Sequence, residues 1–298
     1  MTRVAFLGLG RMGRPMAERL LGVADPLVVW NRSSAKVRAF VREHPAVRSA
    51  ATPGEAAAGA DVVVSMVADD AAAEAVHLGE AGTLAADPPP AVVIESGTLA
   101  PAAVRRLADA ARERGTAFLD VPVSGSVDAA EAGSLLLLAG GDADALADAG
   151  PVLARLGRRT VPMGGSGSGS LAKLLVNGVL HALNQAVGEA LAVADASGLA
   201  RDDLYDVLSD SAVGAPMLGY RRAQYLTDDA PVAFALSLAA KDVGLLVDEA
   251  DAAGAPVPQA RLNLAALRRA AEDGYGEEDM AALAAWLRAH PSTGGDLR

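Results

Sequence analysis

Near the start of the chain, three glycines have the spacing of a turn that binds phosphates. Gly8-Leu9-Gly10-Arg11-Met12-Gly13 has the pattern G-x-G-x-x-G, which ends the apolar run 4–9 and opens a helical pattern over 12–21. In such a turn the glycines allow a tight bend, close approach of the backbone to a pyrophosphate and close packing of the helix on the strand. The pattern predicts a dinucleotide-binding site formed by Gly8, Leu9, Gly10, Arg11, Met12 and Gly13.

The residues after the second predicted strand indicate which dinucleotide binds. An NAD site usually has an acidic residue about 20 residues after the glycine turn, where it holds the 2′-hydroxyl of the ribose. Here the run 27–30 is followed by Asn31, Arg32 and Ser33, with no acid. Because an arginine can pair with a 2′-phosphate while its neighbours donate hydrogen bonds, the pattern favours NADP(H) and leaves NAD(H) open. The alternative is that Arg32 is a solvated loop arginine.

Lysine is scarce in this chain. Of the 26 basic residues, only Lys36, Lys173 and Lys241 are lysines. The three lysines either occur at these positions by chance, or occur where a reaction needs a lysine that arginine cannot replace. The pKa of a lysine, about 10.4, can be lowered into a working range, whereas arginine stays protonated. Lys173 is the strongest candidate for chemistry, because Asn177 follows it by one helical turn and the glycine-rich stretch 164–170 precedes both.

A further segment places hydroxyls and a glycine after a predicted strand. Ser124, Gly125 and Ser126 follow the run 117–121, at the carboxyl edge of the predicted sheet. Consecutive backbone N–H groups in such a turn can hold a carboxylate. On its own, the segment is equally consistent with an ordinary turn.

The elements that must position these residues follow an alternating pattern. Short apolar runs at 4–9, 27–30, 61–66, 91–95 and 117–121 alternate with alanine-rich helical stretches. This rhythm predicts βαβ units and a parallel sheet, hence an α/β, doubly wound Rossmann domain over residues 1–163. Met66 and Val67, at the end of one run, are predicted to line the cofactor groove, with core packing as the alternative.

The second half of the chain has a different pattern. Apolar residues recur every four positions from Leu171 to Leu191, without a proline, which predicts a long helix over about 168–197. The remaining patterns are helical and are broken at glycines and prolines. The sequence predicts an all-helical domain over 164–298, joined to the first by this long helix.

Composition excludes several classes of function. The 298 residues contain no cysteine, so disulfides, thiolate nucleophiles and cysteine-bound zinc are excluded, and the four histidines lack metal-ligand spacing. A net charge of −11 argues against nucleic-acid binding. No apolar run approaches the roughly 18 residues of a membrane span, and no export signal is recognisable, so we expect a cytoplasmic protein. Within this acidic chain, residues 1–50 carry nine basic and three acidic side chains, which favours a polyanionic ligand there.

Together these segments resemble the β-hydroxyacid dehydrogenase family, the group of 3-hydroxyisobutyrate dehydrogenases and glyoxylate/succinic semialdehyde reductases. The start of the chain, residues 8–17, resembles the family's cofactor motif. Residues 120–133 resemble its substrate-binding signature, and residues 164–177 resemble its catalytic signature. Lys241-Asp242 resembles its C-terminal cofactor and substrate segment.

The resemblance implies roles for individual residues. Lys173, as an ammonium group, would donate a proton to the carbonyl oxygen, and Asn177 would orient the substrate or the lysine. Lys241 would close over cofactor and substrate, and Thr98 would contact the cofactor. The substrate carboxylate would be held by Ser124, Gly125 and Ser126. A small carboxylate substrate, an active site in the cleft between the domains and a homodimer or homotetramer built through the helical domains are also implied.

This chain departs from the family pattern at three places. The family usually has Ser-Gly-Gly where this chain has Ser124-Gly125-Ser126, so the side chain of Ser126 is expected to alter substrate size or substitution. Asp-x-Ser-Thr is usual where this chain has residues 95–98, Glu-Ser-Gly-Thr, so contacts on the nicotinamide side are expected to differ. The second asparagine that usually follows Asn177 is Gly178.

Two other functions fit the same architecture. An imine reductase shares the fold, but that group generally has another residue, often Asp or Tyr, at the position of Lys173. A catalytically silent cofactor-binding scaffold would be expected to lose this lysine, whereas Lys173, Asn177 and Lys241 occur together here. Oxidation of NADPH by semialdehydes, glyoxylate or cyclic imines distinguishes the three functions.

Overall fold

The first 173 residues form a nine-stranded sheet with helices between its strands. The computed structural model describes residues 2–227 and 229–290. The chain divides into two compact units, Met1–Lys173 and Leu174–Arg298. The strands of the first unit are β1 (Thr2–Leu7), β2 (Ala24–Trp30), β3 (Arg48–Ser49), β4 (Val62–Ser65), β5 (Val92–Glu95), β6 (Ala117–Asp120), β7 (Val123–Ser124), β8 (Leu135–Gly140) and β9 (Gly157–Gly164). Its helices are α1 (Gly13–Arg19), α2 (Ser34–Glu43), α3 (Pro53–Ala57), α4 (Asp70–Leu78), α5 (Pro101–Glu113), α6 (Val127–Glu131), α7 (Ala143–Asp148) and α8 (Gly150–Leu156).

The strand order confirms the predicted doubly wound fold. Strands lie in the order β3-β2-β1-β4-β5-β6-β8-β7, with β9 paired to β8, and β1 to β6 pair in parallel. The winding direction reverses between β1 and β4, and in open α/β sheets ligands bind in the crevice at such a reversal. The glycine turn after β1 therefore lies where a nucleotide is expected.

Both faces of the sheet are covered by apolar residues. Along β1, Val4 and Phe6 belong to one hydrophobic core, while Ala5 and Leu7 belong to the other. This alternation follows from the two-residue period of a strand. Strands β4 and β5 are buried at all four positions, which explains their continuous apolar runs.

The far end of the sheet differs from the prediction of a purely parallel sheet. Strand β8 is antiparallel to β6 and β7 but parallel to β9, and none of the last three strands was predicted. Strand β8 has a buried apolar run that the sequence analysis missed. For the other two the reason is local: β7 has only two residues, and β9 has no buried position. Neither strand presents the buried apolar run from which a strand is recognised in a sequence.

The second unit is helical, as predicted. Helix α9 (Ser168–Ser197) has 30 residues, about 45 Å at 1.5 Å per residue, and is continuous from the end of the first unit into the second. Leu191, Tyr205, Leu236 and Leu267 are buried in the core of the second unit. The other helices are α10 (Arg201–Asp210), α11 (Pro216–Leu226), α12 (Leu236–Ala253), α13 (Pro258–Ala270) and α14 (Ala282–Ala289).

Across residues 2–227 and 229–290, every helix is too short or too polar to cross a membrane.

Candidate active site

The glycine turn after β1 has the geometry of a dinucleotide site. Gly8 has a φ of +100°, and a Cβ on it would lie 2.3 Å from the backbone oxygen of Met66. On Gly13, a Cβ would lie 1.9 Å from the backbone oxygen of Gly8. Around Gly10, by contrast, no heavy atom of the described residues other than Gly10 and its two chain neighbours lies within 4 Å of the Cβ position. The outer glycines are needed for the turn and for packing, whereas Gly10 leaves room for a pyrophosphate beside the backbone, so these residues fit a dinucleotide.

Asn31, at the end of β2, is hydrogen-bonded to this turn. Its Oδ1 accepts a hydrogen bond from the N–H of Leu9 at 2.9 Å, and its Nδ2 donates to the backbone oxygen of Ser33 at 3.2 Å. Asn31 thus holds the turn in addition to its predicted contact with the cofactor. Arg32 and Ser33 are exposed beside it.

The loops after β4 and β5 lie on the other side of the point between β1 and β4 where the winding direction reverses. Met66 and Val67 after β4 are half-buried, as is Thr98 after β5. A Cβ on Gly97 would lie 2.6 Å from the backbone oxygen of Val67 and 2.8 Å from Glu95 Oε1. The glycine at 97 is required because the two loops approach closely here, which explains the departure from the family's serine.

Beneath these loops lies a buried polar network that sequence analysis missed. Glu95 Oε1 accepts the N–H of Gly97 at 2.6 Å, and Oε2 accepts the hydroxyl of Ser65 at 2.6 Å. His77 Nε2 lies 3.0 Å from Glu95 Oε2, and its Nδ1 lies 2.8 Å from Thr83 Oγ1. Glu95, Ser65, His77 and Thr83 are at most 1% exposed, and Gly97 is buried. The network ties α4 to the ends of β4 and β5 and fixes the backbone that leads to Thr98.

The predicted substrate segment forms the turn between β7 and α6. Ser124 and Ser126 are half-buried and Gly125 is exposed, with a φ of +148° that favours glycine. The Ser126 Oγ accepts the N–H of Ala129 at 3.2 Å and caps α6. This cap is a structural use for the serine at the position where the family usually has glycine.

The predicted catalytic pair lies on α9. Lys173 is half-buried and belongs to the first unit, and Asn177 follows one turn later in the second unit, 4% exposed. Asn177 Nδ2 donates to Asp242 Oδ2 at 2.6 Å, and Asp242 Oδ1 lies 3.0 Å from Lys241 Nζ. Asp242, 1% exposed, therefore joins two of the predicted site residues. The Lys-Asp pair was visible in the sequence, but its contact with Asn177, 65 residues away, was not.

The glycine after Asn177 also has a packing reason. A Cβ on Gly178 would lie 2.3 Å from Cδ2 of Leu246 in α12. An asparagine at this position would require the Leu246 side chain to move, so the glycine lets α9 and α12 pack closely with Leu246 in its present rotamer.

Within residues 2–227 and 229–290, His, Cys, Asp and Glu side chains form no group of three that could hold a metal ion.

Comparison with known proteins extends across both units. Residues 3–165 match the family model of the NAD binding domain of 6-phosphogluconate dehydrogenase, and residues 167–287 match the model described as NAD-binding of NADP-dependent 3-hydroxyisobutyrate dehydrogenase. An NAD-dependent L-serine dehydrogenase of Pseudomonas aeruginosa is 36% identical over 286 residues, 94% of this chain and 95% of that protein.

Two proteins named 3-hydroxyisobutyrate dehydrogenase are also similar. One from Pseudomonas aeruginosa is 35% identical over 265 residues, 87% of this chain and 88% of that protein. The solved structure of another, from Salmonella typhimurium, has a TM-score of 0.88 at 26% identity and covers 96% of this chain and 100% of its own. Similarity of this degree over nearly the full length shows that the chain belongs to the β-hydroxyacid dehydrogenase family.

Proposed function

We propose that the protein uses NADP(H) to interconvert a small β-hydroxy or 2-hydroxy acid and its semialdehyde or oxo acid, with Lys173 as the proton donor and acceptor. The family consists of NAD(P)-dependent oxidoreductases that act on CH–OH groups. The observation that carries the proposal is the helix α9, which presents Lys173 and, one turn later, an Asn177 held by the buried Asp242.

In the direction of reduction, the chemistry divides between cofactor and protein. The dinucleotide, with its pyrophosphate at the glycine turn, would supply the hydride from its nicotinamide. Lys173 hydrogen-bonds the carbonyl oxygen, stabilises the negative charge that develops on it and gives it a proton. Asn177 orients the substrate, and its own orientation is fixed because Asp242 accepts its Nδ2–H.

The substrate class follows from the turn after β7. Backbone N–H groups and hydroxyls at Ser124, Gly125 and Ser126 suit a carboxylate. L-Serine and 3-hydroxyisobutyrate, the compounds in the names of the two Pseudomonas relatives, both carry a carboxylate and a hydroxyl on the β carbon. A small carboxylate of this kind is therefore the proposed substrate.

A panel of carbonyl compounds tests the proposal. We expect succinic semialdehyde, glyoxylate or a related oxo acid to be reduced with a kcat/KM at least ~10²-fold above that of a neutral aldehyde of the same length, because a site built to bind a charged group discriminates strongly against its absence. Initial rates of NADPH oxidation measure this. Preference for butanal over succinic semialdehyde, or for cyclic imines over both, contradicts the proposed substrate class.

Arg32 supports NADP(H) as the preferred cofactor. Within residues 2–227 and 229–290 it forms no ion pair, whereas Arg3 and Arg14 of the same basic region pair with acids. Ser33 is the N-cap of α2, and its hydroxyl makes no capping hydrogen bond. Both side chains are exposed next to the glycine turn and suit a 2′-phosphate. The name of the serine dehydrogenase relative specifies NAD instead, so a measurement of cofactor preference distinguishes the two cofactors.

Removal of the Arg32 side chain provides that measurement. Arg32→Ala is expected to raise the KM for NADPH about 10- to 100-fold, the scale of a lost hydrogen-bonded charge contact, while the KM for NADH changes less than about 3-fold. Arg42→Ala is the matched control, because Arg42 is also exposed but lies in the last turn of α2. Equal effects of Arg32→Ala on the two cofactors, or a wild-type preference for NADH, contradict the assignment.

Assembly as a homodimer or homotetramer through the helical unit is also proposed. Leu175, Val179 and Val193 on α9 are 54%, 73% and 65% exposed. Large apolar side chains repeated along one helix favour association with another protein surface. Light scattering after size-exclusion chromatography gives the mass of the assembly.

A further inference from the structure

Asp120, the last residue of β6, is a buried carboxylate that the proposed mechanism does not use. It has no solvent exposure. Its Oδ1 accepts the N–H of Gly167 at 2.9 Å, and its Oδ2 accepts the N–H of Ser170 at 2.8 Å. Both donors belong to the glycine-rich stretch 164–170, Gly167 immediately before α9 and Ser170 in the first turn of α9. The carboxylate therefore holds a segment whose composition alone resembles a flexible linker.

Glycines enclose this carboxylate. A Cβ on Gly140 would lie 2.5 Å from Asp120 Oδ1 and 2.8 Å from the backbone nitrogen of Gly169. On Gly169, a Cβ would lie 2.4 Å from the oxygen of Leu138 and 2.5 Å from that of Asp120. Strands β6 and β8 and the start of α9 meet here without space for another side chain. The position of the first turn of α9 is thus fixed by backbone contacts and by the two bonds to Asp120.

The N-terminal end of α9, where Asp120 lies, favours a negative charge. The first N–H groups of a helix lack partners within the helix and carry partial positive charge, so an anion there is favoured. Burial raises the pKa of Asp120, and the N–H groups of Gly167 and Ser170 oppose that rise. A carboxylate that is buried in this way stabilises its site only while both bonds are intact.

Two segments of the proposed active site lie close to Asp120 and its partners along the chain. Lys173 lies three residues beyond Ser170 on α9, and Ser124 lies four residues beyond Asp120. We propose that Asp120 is a positioning residue, which sets the first turn of α9 relative to β6 and thereby places the Lys173 ammonium against the substrate segment. This inference rests on the proposed role of Lys173.

The Asp120→Asn variant tests the inference, since it keeps the size of the side chain but turns one acceptor into an NH2 group that faces an N–H donor. We expect kcat to fall about 10- to 100-fold, the scale of a misplaced catalytic group, with the KM for NADPH within about 2-fold of wild type. The isotope effect on kcat with NADPH deuterated at the transferred position should not fall below that of wild type. Amide hydrogen exchange over residues 164–173 should become faster.

A matched variant separates positioning from simple loss of a helix cap. Asp142 is exposed, and its carboxylate accepts the N–H groups of Asp144 and Ala145 at 3.0 Å to cap α7. Asp142→Ala removes this cap and should lower thermal stability, while kcat and the exchange over residues 164–173 stay unchanged. If Asp120→Asn behaves in the same way, the inference is overturned.

Gly167→Ala disturbs the donor of the hydrogen bond to Asp120 instead of its acceptor. It is the variant to use if Asp120→Asn does not fold. Gly167 has a φ of +91°, which disfavours alanine, so the N–H that it donates to Asp120 is displaced while the carboxylate stays. The same fall in kcat at unchanged KM for NADPH is expected, and wild-type kcat overturns the inference. An active Lys173→Met variant would instead refute the proposed role of Lys173, so the two failures are distinguishable.

Discussion

Lys173→Arg is expected to lower kcat at least ~10²-fold while the affinity for NADPH stays unchanged, because acid–base groups contribute on this scale and Lys173 is not part of the glycine turn. Arginine keeps the positive charge, but its pKa lies above ~12, so it is a poor proton donor at neutral pH. Its planar group is also larger than an ammonium. Steady-state rates with the best substrate of the panel, and NADPH binding by fluorescence titration, measure the two quantities.

The control is the same exchange at a lysine without a proposed role. Lys36 is exposed on α2, and Lys36→Arg should leave kcat within about 2-fold of wild type, as is usual for surface substitutions. Arginine already fills most basic positions of this chain. Equal effects of the two exchanges would mean that the scarcity of lysine carries no information about catalysis.

Glu95→Ala is expected to be the most destabilising of these changes, at about 3–5 kcal/mol of unfolding free energy, because it breaks a buried pair and leaves its partners unsatisfied. The partners are His77, Ser65 and the N–H of Gly97, all of which are buried. The urea midpoint, followed by circular dichroism, should fall accordingly. Affinity for NADPH should fall too, since the bond to Gly97 fixes the loop that carries Thr98.

Glu74 gives the matched comparison. It pairs with Arg106 in an exposed ion pair between α4 and α5, with side chains 41% and 60% exposed. Glu74→Ala should cost no more than about 1 kcal/mol, because solvent screens such pairs. A Glu95→Ala protein whose midpoint equals that of Glu74→Ala would show that the buried network does not stabilise the fold.

The parts of the fold that sequence predicted are those with a local pattern. The glycine turn at Gly8 and the buried runs of β4 and β5 follow from spacing and apolar period, and the long α9 follows from its four-residue repeat. Strands β7 and β9 lack such a pattern, because β7 has only two residues and β9 has no buried position. Their pairing with β8 is decided by contacts between segments.

The candidate site shows the same division. Lys173 and Asn177 were recognisable because one helix sets their spacing. The hydrogen bonds that hold these residues in place were not recognisable, because each joins distant parts of the chain. Asp120 and Ser170 are 50 residues apart, and Asn177 and Asp242 are 65 residues apart. The exchange of a family serine for Gly97 became interpretable only with Val67 and Glu95 in place beside it.

Single-turnover reduction tests the central claim, that Lys173 serves the chemical step, most directly. Enzyme loaded with NADPH is mixed rapidly with substrate in excess, which separates hydride transfer from product release. The account predicts a single-turnover rate at least ~10²-fold slower in Lys173→Arg than in wild type, and no change in Lys36→Arg. A wild-type single-turnover rate in Lys173→Arg would contradict it.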